Sequence, residues 1–153
     1  MITIAGSGPS AALVDHVDIA TKRQSVNSDY VFLRFLHSLL LIDCDKPLLL
    51  YYRRRDFECK NEKHYIDSDY WDKYYKRFTR SKRPPQKQKP SSGLCAVFAA
   101  VERWKPQTIG LIGFDWVLDG NADWEHDAQA EKQAILSLVN IKDLRDDSII
   151  RRL

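Results

Sequence analysis

The chain has 153 residues, 44% of them hydrophobic, with 24 Lys and Arg against 21 Asp and Glu for a formal net charge of +3. That length suits one domain with a sizeable core, and the mixed charges exclude a disordered chain. No apolar run approaches the length needed to span a bilayer, and no basic segment precedes an apolar run at the N-terminus, so no export signal is expected. The cysteines, Cys44, Cys59 and Cys95, have no CxxC spacing. Free thiols in a reducing cytosol are expected rather than a disulfide framework or a zinc site.

Taken in chain order, Met1 to Ala5 reads as a buried strand, and Pro9 and Ser10 open a helix. Tyr30 to Phe35 reads as a second strand, Pro47 to Tyr52 as a third, with Leu39 to Ile42 as a further candidate. Tyr65 to Phe78, rich in Tyr, Trp, Lys and Arg, reads as a helix. Ser81 to Pro90 is a loop marked by Pro84, Pro85 and Pro90. Ser91 to Trp104 predicts a helix with Leu94, Val97, Phe98 and Val101 on one stripe. Thr108 to Ile112 is a buried strand, Gly113 to Asn121 a loop, and Asp127 to Val139 a helix with Ala134, Ile135 and Leu138 facing inward. Strands alternating with helices predict a single α/β domain over residues 1–153, built on a mainly parallel sheet flanked by helices. Ligands of such sheets bind beyond the carboxyl ends of the strands. Two of the chemically rich loops, Gly6 to Ser10 and Gly113 to Asn121, directly follow strands.

Several of these residues carry chemistry. A strand that ends in Gly-Ser-Gly and opens into a helix lets a phosphate approach the backbone closely, although the same residues also make an ordinary tight turn. A serine among Ser91 and Ser92, ahead of Gly93, caps a helix and leaves N–H groups free for an anion or a ribose. Asp115 ends the strongest strand, where a carboxylate either accepts from a ligand hydroxyl or holds neighbouring loop amides. Trp116 and Trp124 bracket a loop before His126, placed to stack on a base, cover a sugar or pack the loop on the core. His126 is either a general base working near neutral pH or a residue at a helix start. Asp127 caps the following helix, and Glu131 lies one turn into it, so either carboxylate can orient the imidazole.

Four segments in order resemble the bacterial sialyltransferases that decorate lipooligosaccharide. "IAGSGPS", Ile4 to Ser10, is similar to that family's opening strand and donor loop. "DYVFLRF", Asp29 to Phe35, is similar to its second strand with an aspartate, an apolar pair and an arginine. "KPSSGLCAVFAAVERWKPQTIGLIGFDW", Lys89 to Trp116, has the Ser-Gly helix start, apolar helix and strand ending Gly-x-Asp-aromatic. "HDAQAE", His126 to Glu131, falls where the family has its catalytic histidine, and its spacing from histidine to acid is similar to the last motif of animal sialyltransferases. The likeness covers the first 35 residues and roughly Lys89 to Leu138.

The resemblance implies a Rossmann-like, sialyltransferase-like α/β fold and an inverting glycosyltransferase. The donor is a CMP-linked or other nucleotide-linked sugar, sialic acid or a relative, and the acceptor is a glycan or other hydroxyl-bearing molecule. No metal or other cofactor is required if protein donors stabilise the leaving phosphate. It implies His126 as base, and Gly6, Ser7, Gly8, Ser10, Ser91, Ser92, Gly93 and Asp115 at the donor. Arg34 and Lys89 are acceptor or phosphate contacts, and Trp116 and Trp124 lid or stacking residues. It further implies a cytoplasmic protein, with a place at the inner membrane surface as a variant. The chain departs from the family in being much shorter, in having Ser7 where an asparagine is usual, and in having Leu36 where a donor-holding asparagine follows the arginine.

Two other readings stand beside this one. The chain retains the nucleotide pocket without the chemistry, or it associates with nucleic acid. The second uses the basic, aromatic segment 73–90, with Lys73, Lys76, Arg77, Arg80, Lys82, Arg83, Lys87 and Lys89 and the interleaved Tyr74, Tyr75 and Phe78. That segment suits an anionic glycan or lipid surface equally, or is simply a solvated face.

Overall fold

The computed structural model describes residues 1–21, 26–34, 45–50, 60–66, 75, 78, 90–120 and 126–153. Within them lie eight strands: β1 (Ile2–Ala5), β2 (His16–Thr21), β3 (Asn27–Leu33), β4 (Leu48–Leu50), β5 (Lys63–Tyr65), β6 (Thr108–Ile112), β7 (Asn140–Asp143) and β8 (Ser148–Ile150). They form one sheet in the order β5-β4-β3-β2-β1-β6-β7-β8. Every pairing is parallel except the β7–β8 edge hairpin. The described α-helices are α1 (Ser92–Trp104), α2 (Asp115–Leu118) and α3 (Ala128–Leu136). A mostly parallel sheet flanked by helices is the α/β architecture expected from the sequence, and it is compatible with a Rossmann-like fold.

β1 is central because it can be buried on both faces. Ile4 joins the larger core with Ile19, Phe32, Leu49 and Leu111, and Ala5 joins a smaller cluster with Ala20 and Ile112. α1 and α3 pack into the larger core. The Oγ of Ser91 caps α1 by accepting from Leu94 N at 3.1 Å. At the other end Lys105 turns into the left-handed region at φ 47° and donates its N–H to Val101 O. Burial on α1 exceeds the expected stripe. All seven residues from Leu94 to Ala100 are buried, so the first turns are covered all round, while Val101 is only half-buried. On α3, Ala134 and Ile135 are buried as expected, and Leu138 lies half-buried beyond the helix end.

Chain order explains where a ligand can enter. From β1 the chain moves outward through β2, β3, β4 and β5. It then returns through α1 to β6 on the opposite side of β1. The strand order therefore reverses between β1 and β6, and the carboxyl ends of these strands are where a ligand crevice is expected.

Several expected elements differ. The helix opening at Pro9 is a single 3-10 turn, Pro9–Leu13, and β2 follows at once. Val17, Ile19 and Thr21 suit a strand, but Asp18 interrupts the continuous apolar run expected of a parallel strand buried on both faces. The interruption is tolerated because Asp18 Oδ2 accepts from Thr3 N at 2.8 Å and Thr3 Oγ1 at 2.9 Å. The strand expected from Tyr30 begins at Asn27. Tyr65 ends β5, hydrogen-bonded alongside β4, rather than opening a helix. Within Gly113 to Asn121 sits the short α2. Phe35, Leu39 to Ile42, Tyr51, Tyr52, Cys44 and Cys59 lie outside the described residues, as do the cationic side chains of 73–89. Tyr75 is fully buried and Phe78 packs against the same core. No helix among the described residues is long and apolar enough to cross a membrane.

Candidate functional site

The loops after β1 and β6 are tied backbone to backbone. Gly6 N donates to Ile112 O at 2.8 Å, and Gly8 N to Gly113 O at 2.7 Å. A Cβ on Gly6 would stand 2.6 Å from Gly113 O, and one on Gly8 only 2.2 Å from Asp115 Oδ2. The room these glycines leave is thus filled by the opposing loop. Ser10 completes the tie. Its Oγ donates to Asp115 Oδ2 and accepts from Gly113 N, each at 2.8 Å. Arg145 approaches Asp115 at 3.6 Å while bonding Asp143 and Asp119 more closely. Of the two roles open to Asp115, the structure displays loop scaffolding.

Beside this tie is a cavity of about 200 Å³. Of the residues singled out from the sequence, Gly6, Ser7, Ser91, Ser92, Gly93, Trp116 and His126 line it. Gly8, Ser10, Arg34 and Asp115 are not among its described lining. Lys89 and Trp124 lie outside the described residues. Thr21, Gly113 and Phe114 complete the lining; Gly113 opens a loop already singled out in the sequence, but none of the three was named there as a site residue. Phe114 is 2% exposed and lies under α1, where a Cβ on Gly93 would meet its ring at 2.8 Å. Thr21 Oγ1 donates to Ala5 O at 3.1 Å, closing the β1–β2 edge of the cavity.

The wall formed by α1 has a polar brace behind it. Arg34, just past β3, donates from Nη1 to Pro90 O. It thus holds the chain entering α1 and does not line the cavity. Ser91 N donates to Glu131 Oε2 at 3.2 Å, and Ser91 Oγ is bonded to Glu131 Oε1. Glu131 has no solvent exposure. Burial pushes its carboxyl up to about 8, against the opposing pull of the two Ser91 bonds and of Arg34. The neighbouring Cys95 thiol is pushed up to about 12 by burial. Glu131 therefore engages Ser91, and Asp127 Oδ1 caps α3 by accepting from Ala130 N at 3.2 Å. The Ser91 partnership was not read from sequence. Its signal was there, because Glu131 shares the inward stripe of Asp127, Ala134 and Ile135.

His126 stands half-buried at the start of α3, its ring centroid 6.0 Å from that of Trp116 with the planes tilted by 34°. The cavity thus brings together serine hydroxyls, the N-terminal N–H groups of α1, an indole face and an imidazole. These groups suit an anion, a flat ring and proton transfer, respectively. No group of three or more His, Cys, Asp or Glu among the described residues is placed to hold a metal ion.

Fold and site together define a mostly parallel α/β protein with a polar crevice at the point where its strand order reverses. Compared with family models, with curated proteins and with solved structures, the chain matches none.

Proposed function

We propose that the protein is a compact, sialyltransferase-like transferase that takes a sugar from a CMP-linked or related nucleotide-linked donor. One observation carries the reading: Gly6-Ser7, Ser91 to Gly93, Trp116 and His126, drawn from three separated segments, line one cavity. At about 200 Å³ the described cavity is smaller than the roughly 300–1,000 Å³ usual for small-molecule sites, so it suits the nucleotide portion of such a donor. In this mechanism His126 takes the proton of the acceptor hydroxyl. The acceptor oxygen bonds the anomeric carbon as the bond to the nucleotide phosphate breaks, inverting the centre. The N–H groups of Ser92 and Gly93 receive the charge that develops on the departing phosphate.

A thermal-shift series with CMP, CDP, UDP, GDP and their sugars tests the reading, because a ligand of the folded state raises the melting temperature. A shift with a cytidine nucleotide, followed by sugar transfer to a hydroxyl acceptor, is expected. A shift without transfer favours a nucleotide-binding protein that has lost the chemistry, consistent with Leu36 and Ser7 in place of the family's asparagines. The absence of any shift across the series overturns the proposal.

A further inference from the structure

We infer that Glu131 is a positioning residue that couples binding of a phosphate-bearing ligand at the start of α1 to uptake of a proton by its own carboxyl. The inference rests on the reading of the cavity as a nucleotide site. Ser91 links this carboxyl directly to the cavity wall. It lines the cavity, caps α1 and gives both its N–H and its hydroxyl to Glu131. Glu131 in turn belongs to α3, the helix that begins just after His126. One side chain therefore braces the α1 wall against the element that carries the imidazole.

The carboxyl can hold Ser91 in either protonation state, since one oxygen accepts from Ser91 N while the other shares a proton with Ser91 Oγ. What changes is the field. An ionised Glu131 sets a full negative charge, with no solvent to screen it, just behind the first N–H groups of α1. That charge cancels their attraction for an anion. A neutral Glu131 leaves the attraction intact. Among the described residues, the other charged or titratable groups that act on it are Arg34 past β3, Cys95 on α1 and Asp127 at the start of α3. Arg34 favours the ionised form and Asp127 the neutral one, but burial outweighs both and sets the change near neutral pH. A phosphate arriving on the cavity side adds a second negative charge and draws a proton onto the carboxyl.

The test is calorimetric titration of the full chain with CMP and, separately, with inorganic pyrophosphate, from about pH 7 to 9.5. If only the neutral form binds, affinity for CMP falls by up to about 30-fold over that range. Glu131→Gln, a permanently neutral isostere, is expected to hold its affinity within about twofold. Should that variant not fold, the parent alone decides the matter. Titrations near pH 9 in buffers of different ionisation heat are expected to show uptake approaching one proton per CMP. CMP binding without uptake, or with the same pH dependence in Glu131→Gln, overturns the inference and leaves the nucleotide reading standing. Pyrophosphate binding with the expected dependence but no CMP binding overturns the nucleotide reading and supports the coupling. Binding of neither ligand overturns both.

Discussion

Glu131→Gln is expected to change stability in a way that depends on pH even with the cavity empty. The carboxyl is fully buried, and its ionisation is displaced from an ordinary 4.5 to about 8, with burial the largest cause. Between those values the folded chain holds a proton that the unfolded chain releases. The stabilisation is therefore complete below about pH 4.5 and is lost as pH rises to about 8, at up to about 1.4 kcal/mol per pH unit. Over the whole interval the parent forfeits roughly 5 kcal/mol, a large part of the 5–15 kcal/mol that about covers a domain of this kind. Glutamine does not titrate. Its carbonyl can accept from Ser91 N, and its amide can donate to Ser91 Oγ, replacing the present bonds at a cost of about 1 kcal/mol. Near pH 5 the variant should match the parent or fall slightly below it. By pH 8 it should be about 3–4 kcal/mol more stable, read from urea denaturation midpoints and slopes at each pH. A stability difference that stays constant from pH 5 to 8 would refute the reasoning, because it would mean that Glu131 is ionised in the fold.

His126→Ala and His126→Asn are expected to keep nucleotide affinity while lowering sugar transfer by about 10²–10⁴-fold, measured by isothermal titration and a coupled transfer assay. Transfer at the parent rate in either variant removes His126 as the base. Gly8→Ala places a methyl 2.2 Å from Asp115 Oδ2 and 2.7 Å from Gly113 O, and should cost about 1–3 kcal/mol of stability in denaturant melts. Gly120→Ala meets nothing within 4 Å and should cost only about 1 kcal/mol, through its φ of +70°. Cys95, buried and pushed up to about 12, is expected to resist iodoacetamide in the native chain and to react once the chain is unfolded, as read by peptide mass spectrometry. Reversing Arg77, Arg80 and Arg83 to Glu should weaken salt-dependent retention on nucleic acid or heparin if the basic segment binds an anionic partner, with each lost phosphate contact lowering the salt slope by about one. Unchanged retention would leave the segment a solvated face.

The legible parts of the fold were those where one physical signal acted alone. "TIGLI" is apolar without interruption and becomes β6, buried beside β1. Ser91 and Asp127 each precede an apolar stripe and each caps a helix through its side chain. The loops from Gly6 and from Gly113 were legible as loops that directly follow strands, and residues of both line one cavity. β2 was hidden because Asp18 breaks its pattern, and only the distant Thr3 supplies the compensating bonds. β8 was hidden too, since a three-residue edge strand with exposed Ser148 and Ile149 has no burial pattern to show. Glu131 was read as a possible partner of the imidazole, and its bond to Ser91 arises only from the packing of α3 against α1. Such long-range compensation leaves no mark on local periodicity.

The tie between the two loops also decides which residues are left to choose a ligand. Gly6 N donates to Ile112 O, Gly8 N to Gly113 O and Gly113 N to Ser10 Oγ, and the proton of Ser10 Oγ goes to Asp115. These contacts tie the loop after β1 to the loop after β6 at one side of the cavity. Rigid placement matters because an anion gains from N–H groups only when no energy is spent aiming them. The side chains left on the open side of the tie are Ser7, Ser92, Trp116 and His126. Of these Ser7 alone is largely exposed, and it is one carbon shorter than the asparagine it replaces in the family it resembles. A shorter polar group reaches less far across the crevice, so a ligand that bonds Ser7 must either come closer to the β1 loop or bridge to it through water. The two glycines flanking Ser7 do not widen that approach, because the opposing loop already fills the room they leave.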